Sequence, residues 1–69
     1  MRIFTPTKIK ERRNELNITQ AELARKAGTA RVYIIELEHG KKIPRVTMLA
    51  KIANALNVSE SYFFVNNGS

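Results

Sequence analysis

The chain lacks cysteine altogether, which excludes a disulfide framework and any thiolate metal site. It has one histidine, His39, too few for a histidine-based metal cluster, so no metal and no cofactor is expected. Aspartate is also absent, and all six acidic residues are glutamates. No apolar run approaches the roughly 20 residues of a membrane span, and the opening MRIFTPTK is too polar for a signal peptide. The expected location is therefore the cytoplasm, in association with the nucleoid. No Ser/His/Asp set, carboxylate pair or phosphate-cradling loop occurs. Glu36 and His39 fall close together on one helix, but as the end of a basic surface, and no enzymatic activity is expected.

What is present is a short basic chain. Its 69 residues allow one domain, spanning 1–69, with one small core. A core of that size leaves a thin stability margin, so association or efficient helix packing is expected. Twelve Lys and Arg against six Glu give a net charge of +6. That excess favours a polyanionic partner; the plain alternative is a basic protein that is merely soluble.

Helical spacing dominates, with short connections and no internal repeat. Residues 6–16 read as a first helix, with Thr5 as N-cap and Pro6 at the first helical position. Phe4 and Ile9 form a hydrophobic staple across its start. Ile9 and Leu16 share a face, with Arg13 between them. Residues 20–27 read as a second helix with two entry devices: a capping box of Thr19 and Glu22, and a staple of Ile18 and Leu23. Gly28 follows where a left-handed cap residue is wanted. A third helix covers about 30–39 and ends before Gly40, and a basic loop follows at 41–44. A fourth covers about 46–56, with Val46, Leu49, Ala53 and Leu56 along one stripe and Asn57 in the left-handed turn position. Ser59 caps a short fifth helix, 59–65, with Val58 and Phe63 as its staple, and 66–69 is a polar tail expected to fray. No segment shows strand alternation flanked by hairpin turns. The expected fold is all-α, with five short helices.

The segment 19–39 meets the demands of a helix-turn-helix. A small residue, Ala24, lets the two helices approach. Gly28 tolerates the positive φ of the turn. Leu23, Ala27, Ile34 and Leu37 supply the inward apolar positions. The opposite side of the third helix then carries Arg31, Val32, Ile35, Glu36 and His39 as one outward stripe. Apolar side chains there suit contact with thymine methyl groups, and Arg31 can pair bidentately with guanine. The alternative is that Val32 and Ile35 pack on a neighbouring helix or a protein partner.

The run Ile18-Thr19-Gln20-Ala21-Glu22-Leu23-Ala24-Arg25-Lys26-Ala27-Gly28 resembles the opening of the Cro/CI-type, or Xre-family, helix-turn-helix. The later Ile34-x-x-Leu37-Glu38-x-Gly40 and Pro44-x-x-x-x-Leu49-x-x-Ile52-Ala53-x-Ala55-Leu56-x-Val58 continue it, so the likeness covers about 8–64. It implies the five-helix lambda-repressor-like fold and binding of double-stranded operator DNA by a homodimer. By the same resemblance, Thr19 and Gln20 match the helix start that docks on phosphate, and Gln20 can also reach a base edge. Ala30, Arg31, Val32 and Glu36 match base-facing positions. Arg13 and Glu38 match an ion pair tying the first helix to the third. Lys41, Lys42 and Arg45 match a loop that follows the DNA backbone, where an arginine such as Arg45 can enter a narrow minor groove; the alternative is a loop that is simply solvated. The string 27–38 is also similar to restriction–modification controller proteins, which would place Tyr33 on a phosphate or a base. The alternative buries the Tyr33 ring beside the fourth helix.

Several positions depart from the family pattern. Arg12 stands where many relatives have a core leucine and Leu16 where many have a charge, which points to a slightly rotated first helix. Ala30 and Arg45 replace small hydroxyl caps, and Ile35 is unusually apolar for an outward position.

One reading helix covers about half a site, so a dimer on a palindromic operator is expected. Three adjacent aromatics cannot all face one small core from a short helix. Phe63 is expected inside, leaving Tyr62, Phe64 and Val65 to cover a symmetric partner; the alternative folds them back on their own chain. The leading reading is a transcription regulator of repressor or controller type. The second is an antitoxin-type module that binds a toxin, with Ile35 and the C-terminal aromatics as its surface.

Overall fold

The computed structural model describes residues 2–66. The chain runs β1 (Arg2–Phe4), α1 (Thr7–Glu15), α2 (Gln20–Ala27), α3 (Arg31–Glu38) and α4 (Val46–Ala55), then a 3₁₀ turn (Glu60–Phe63) and β2 (Phe64–Asn66). The four α-helices all terminate by the same device. A residue with φ between 57° and 74° follows each: Asn17, Gly28, Gly40 and Asn57. The next N–H then reaches back to a carbonyl of the last turn, from Ile18 to Arg13, Thr29 to Ala24, Lys41 to Glu36 and Val58 to Ala53, at 2.9–3.1 Å. This closure satisfies helix-end carbonyls and reverses the chain within two residues.

The helix starts are less uniform. At α2 the capping box forms in full: Glu22 N–H donates to Thr19 Oγ1 at 3.0 Å, and Thr19 N–H donates to Glu22 Oε1 at 2.8 Å. The other helices have no side-chain cap. Thr5, expected to cap α1, instead turns its hydroxyl toward the Ile3 carbonyl, and Pro6 occupies the cap position. Ala30 and Arg45 precede α3 and α4 with no oxygen to offer.

The buried core takes residues from every α-helix and the 3₁₀ turn: Ile9, Leu23, Ala24, Ala27, Ile34, Leu37, Leu49, Ile52, Ala53, Leu56 and Phe63. Val46 does not join it. The residue is 77% exposed, because it opens α4 at the loop side and the stripe turns inward only from Leu49.

One expectation about the C-terminal segment is corrected. The helical fold stands with four α-helices, not five: the fifth helix across 59–65 is a single 3₁₀ turn followed by a short strand. Ser59 bonds to the Ser61 hydroxyl instead of a backbone N–H, so no cap favours an α-helix. Phe64 and Val65, good strand formers, then extend and pair antiparallel with β1, in the register Arg2↔Asn66, Ile3↔Val65 and Phe4↔Phe64. The paired strands are the two ends of the chain, so no hairpin turn marks them in the sequence. Phe4 and Phe64 meet edge to face at 5.8 Å, and the Arg2 guanidinium lies 4.4 Å from the Phe64 ring centre. Of the tail expected to fray, Asn66 is in β2 and the remainder, 67–69, lies outside the described residues.

Arg12 explains its own departure from the expected leucine. The side chain is half-buried, and Nε donates to the Leu56 carbonyl at 2.9 Å. A cation thereby satisfies a carbonyl at the C-terminal end of α4, the negative end of that helix dipole.

Candidate nucleic-acid interface

The geometry of α2 and α3 begins with a buried ion pair. Arg13 on α1 donates from Nε to Glu38 Oε2 at 2.8 Å and from Nη2 to Glu38 Oε1 at 3.2 Å. A third bond runs from Arg13 Nη1 to the Ile18 carbonyl at 3.1 Å, in the link before α2. Gln20 completes the cluster, donating from Nε2 to Glu38 Oε1 at 3.0 Å. Four segments thus converge on one carboxylate and one guanidinium. Both charges are taken out of water, and the pair holds because its bonding is close to complete.

Around this cluster lies a cleft lined by Lys10 and Asn14 on α1, Asn17 just after it, Thr19, Gln20 and Ala21 from the start of α2, and Arg31 from the start of α3. The fold therefore brings three residues selected from the sequence as DNA-facing, Thr19, Gln20 and Arg31, into one concavity with Arg13 of the ion pair. It adds Lys10, Asn14 and Asn17, which the sequence reading passed over. Their spacing of four and three residues, in step with buried Arg13, was the available signal. A second cleft, lined by Thr29, Tyr33, Lys42, Ile43, Arg45, Thr47 and Met48, gathers Tyr33, Lys42 and Arg45 between α3 and the start of α4. Ala30 and Lys41 are exposed and line neither cleft.

On the outer face of α3, Val32 is 59% exposed and Arg31 is exposed, while Ile35 is half-buried. Tyr33 is half-buried, its ring against the edge of the core, with Lys42 Nζ 5.9 Å from the ring centre. Lys42 also approaches Glu36 Oε1 at 3.5 Å, which ties the loop to the helix. His39 Nδ1 lies 2.9 Å from the Ile35 carbonyl, closing the last turn.

The charges on this side are unevenly partnered. Glu22, Glu36 and Glu38 are each engaged internally: Glu22 in the capping box, Glu36 with Lys42 and Glu38 with Arg13. Arg31, Lys41 and Arg45 have no ion-pair partner among the described residues. Arg31 is the first residue of α3 and Arg45 the cap residue of α4. A cation at a helix N-terminus faces the positive end of the dipole, which costs stability and favours a bound anion.

Comparison with known proteins agrees with this arrangement. The family model described as "Helix-turn-helix" (HTH_3) matches residues 9–63. The chain belongs to the Cro/CI-type, or Xre, helix-turn-helix family. An HTH-type transcriptional regulator of Archaeoglobus fulgidus, itself uncharacterised, is 41% identical over 59 residues, covering 86% of this chain and 83% of that protein. Among solved structures, the P22 c2 repressor in complex with a synthetic operator superposes with a TM-score of 0.83 at 30% identity, covering 88% of this chain and 92% of that one. The restriction–modification controller protein C.AhdI of Aeromonas hydrophila gives 0.82 at 25% identity, covering 86% and 89%. This Xre-family chain is a DNA-binding transcriptional regulator, in a family that is not an enzyme class. Among the described residues no helix is long and apolar enough to cross a membrane, and no group of three or more His, Cys, Asp or Glu could hold a metal ion.

Proposed function

We propose that the protein is a repressor or controller that binds a palindromic operator as a homodimer, with α3 in the major groove. The observation that carries this reading is the start of α3. Arg31 stands unneutralised at the positive end of a helix dipole beside an exposed Val32, on a helix that the Arg13–Glu38 pair holds rigidly to α1. In this reading Arg31 pairs with guanine and Val32 meets a thymine methyl group. Ala30 and Glu36 complete the base-facing set. Thr19 and the free N–H groups at the start of α2 dock on phosphate. Tyr33, Lys41, Lys42 and Arg45 follow the backbone from the second cleft and its loop.

The proposed dimer surface is the small sheet with its adjoining turn, through Tyr62, Phe64 and Val65. Ile3 and Val65 are cross-strand neighbours at 41% and 40% exposure, which supports an apolar seam. Tyr62 and Phe64 each also pack partly on their own core, which favours in part the alternative that they fold back on their own chain. The antitoxin reading is not favoured by the relatives described above, a transcriptional regulator, a repressor and a controller protein. Selection of bound duplexes from a random pool tests the proposal: a two-fold symmetric motif is expected, and enrichment of no sequence would overturn it.

A further inference from the structure

We propose that Glu38 is a positioning residue for DNA reading: it fixes the amide of Gln20 in one orientation and so makes Gln20 selective for adenine. This inference rests on the operator-binding reading above. An ionised carboxylate accepts hydrogen bonds and cannot donate them. With Gln20 Nε2 at 3.0 Å from Glu38 Oε1, rotating the amide by half a turn would set its oxygen against the carboxylate, acceptor against acceptor. That arrangement is repulsive, so Gln20 has one stable orientation. Glu38 cannot turn aside either, because Arg13 grips both of its oxygens and its side chain is only 3% exposed.

The consequence falls on what Gln20 offers outward. One Nε2 hydrogen is committed to Glu38. The second Nε2 hydrogen and Oε1 have no protein partner among the described residues, and Gln20 lines the same cleft as Arg31. A free donor and a free acceptor on one amide match the N7 acceptor and N6 donor of adenine in the major groove. Guanine presents two acceptors there, N7 and O6, and would face Oε1 with no donor. Phosphate is likewise acceptor-only and would use the hydrogen alone. A buried structural ion pair thus doubles as the element that decides which base a neighbouring amide accepts.

The test compares wild type, Gln20→Ala and Glu38→Gln by duplex selection, followed by anisotropy titration on duplexes that differ at single positions. Wild type is expected to require adenine at one position per half-site, with discrimination on the order of tenfold or more. Gln20→Ala is expected to lose preference at that position and keep it elsewhere. An amide at 38 can donate as well as accept, so Glu38→Gln tolerates either orientation of Gln20. Its adenine-over-guanine ratio is expected to fall while affinity for the guanine duplex holds, whereas simple loosening of the fold lowers both equally. Thermal melting monitors folding; if Glu38→Gln does not fold, the wild-type adenine-over-guanine ratio that Gln20→Ala abolishes decides the matter, because an amide free to turn would serve guanine as well, and a ratio near one overturns the proposal. A motif from which Gln20→Ala subtracts affinity evenly at every duplex overturns this inference alone. Failure of wild type to select any motif overturns the operator reading and this inference with it.

Discussion

At the scale of single residues, the acidic side chains are arranged to leave Arg31, Lys41 and Arg45 without an ion-pair partner among the described residues. Glu22 is held in the capping box, where hydrogen bonds from the Thr19 backbone and then its side chain, with lesser help from Arg25 and Lys26, lower its pKa below the usual carboxylate value. A carboxylate whose folded-state pKa is lowered adds stability above its unfolded-state pKa, and that contribution disappears as the pH falls through the folded value. Urea denaturation should therefore show Glu22→Ala less stable than wild type near neutral pH, with the gap narrowing once the pH falls below the ordinary glutamate range. Glu38 works in a different environment. Removing it by Glu38→Ala strands the buried Arg13 guanidinium, at an expected cost of about 3–5 kcal/mol. That is a large share of the stability of so small a domain, so circular dichroism should find the variant largely unfolded well below the wild-type midpoint.

At the scale of elements, what the sequence made legible was whatever is encoded locally. The Thr19–Glu22 box, the Gly28 turn and the inward positions Leu23, Ile34 and Leu37 are short-range patterns, and each occurs where its spacing places it. The β1–β2 pair was not legible, because its strands are three residues each and lie at opposite ends of the chain. No turn chemistry joins them, and Phe64-Val65 reads equally as the end of a helix. The candidate site was named in its residues more than in its wiring. Arg13, Glu38 and Gln20 could each be named from the family resemblance, but nothing local indicates that Gln20 turns inward to the carboxylate, or that Lys10, Asn14 and Asn17 join its cleft. Gly28 offers a direct test of the turn. Its φ is +72°, and nothing lies within 4 Å of where a Cβ would stand, so the penalty is left-handed strain alone. Gly28→Ala should cost about 1–2 kcal/mol in urea denaturation, and Gly28→Asn less.

At the scale of the whole molecule, a net charge of +6 opposes self-association, so a dimer needs an apolar seam to form. The proposed seam on the terminal sheet predicts that Phe64→Ala shifts the sedimentation equilibrium toward monomer, while a wild type that stays monomeric at high concentration would remove the dimer from the account. The same charge should make operator affinity fall linearly with salt on logarithmic axes. The most direct test of α3 as the reading helix is an anisotropy titration of wild type and Arg31→Ala against a selected operator and its single-position variants in graded salt. Arg31→Ala should lose about 1–3 kcal/mol and relax discrimination at one base pair. Equal affinity of the two proteins for every duplex would contradict it.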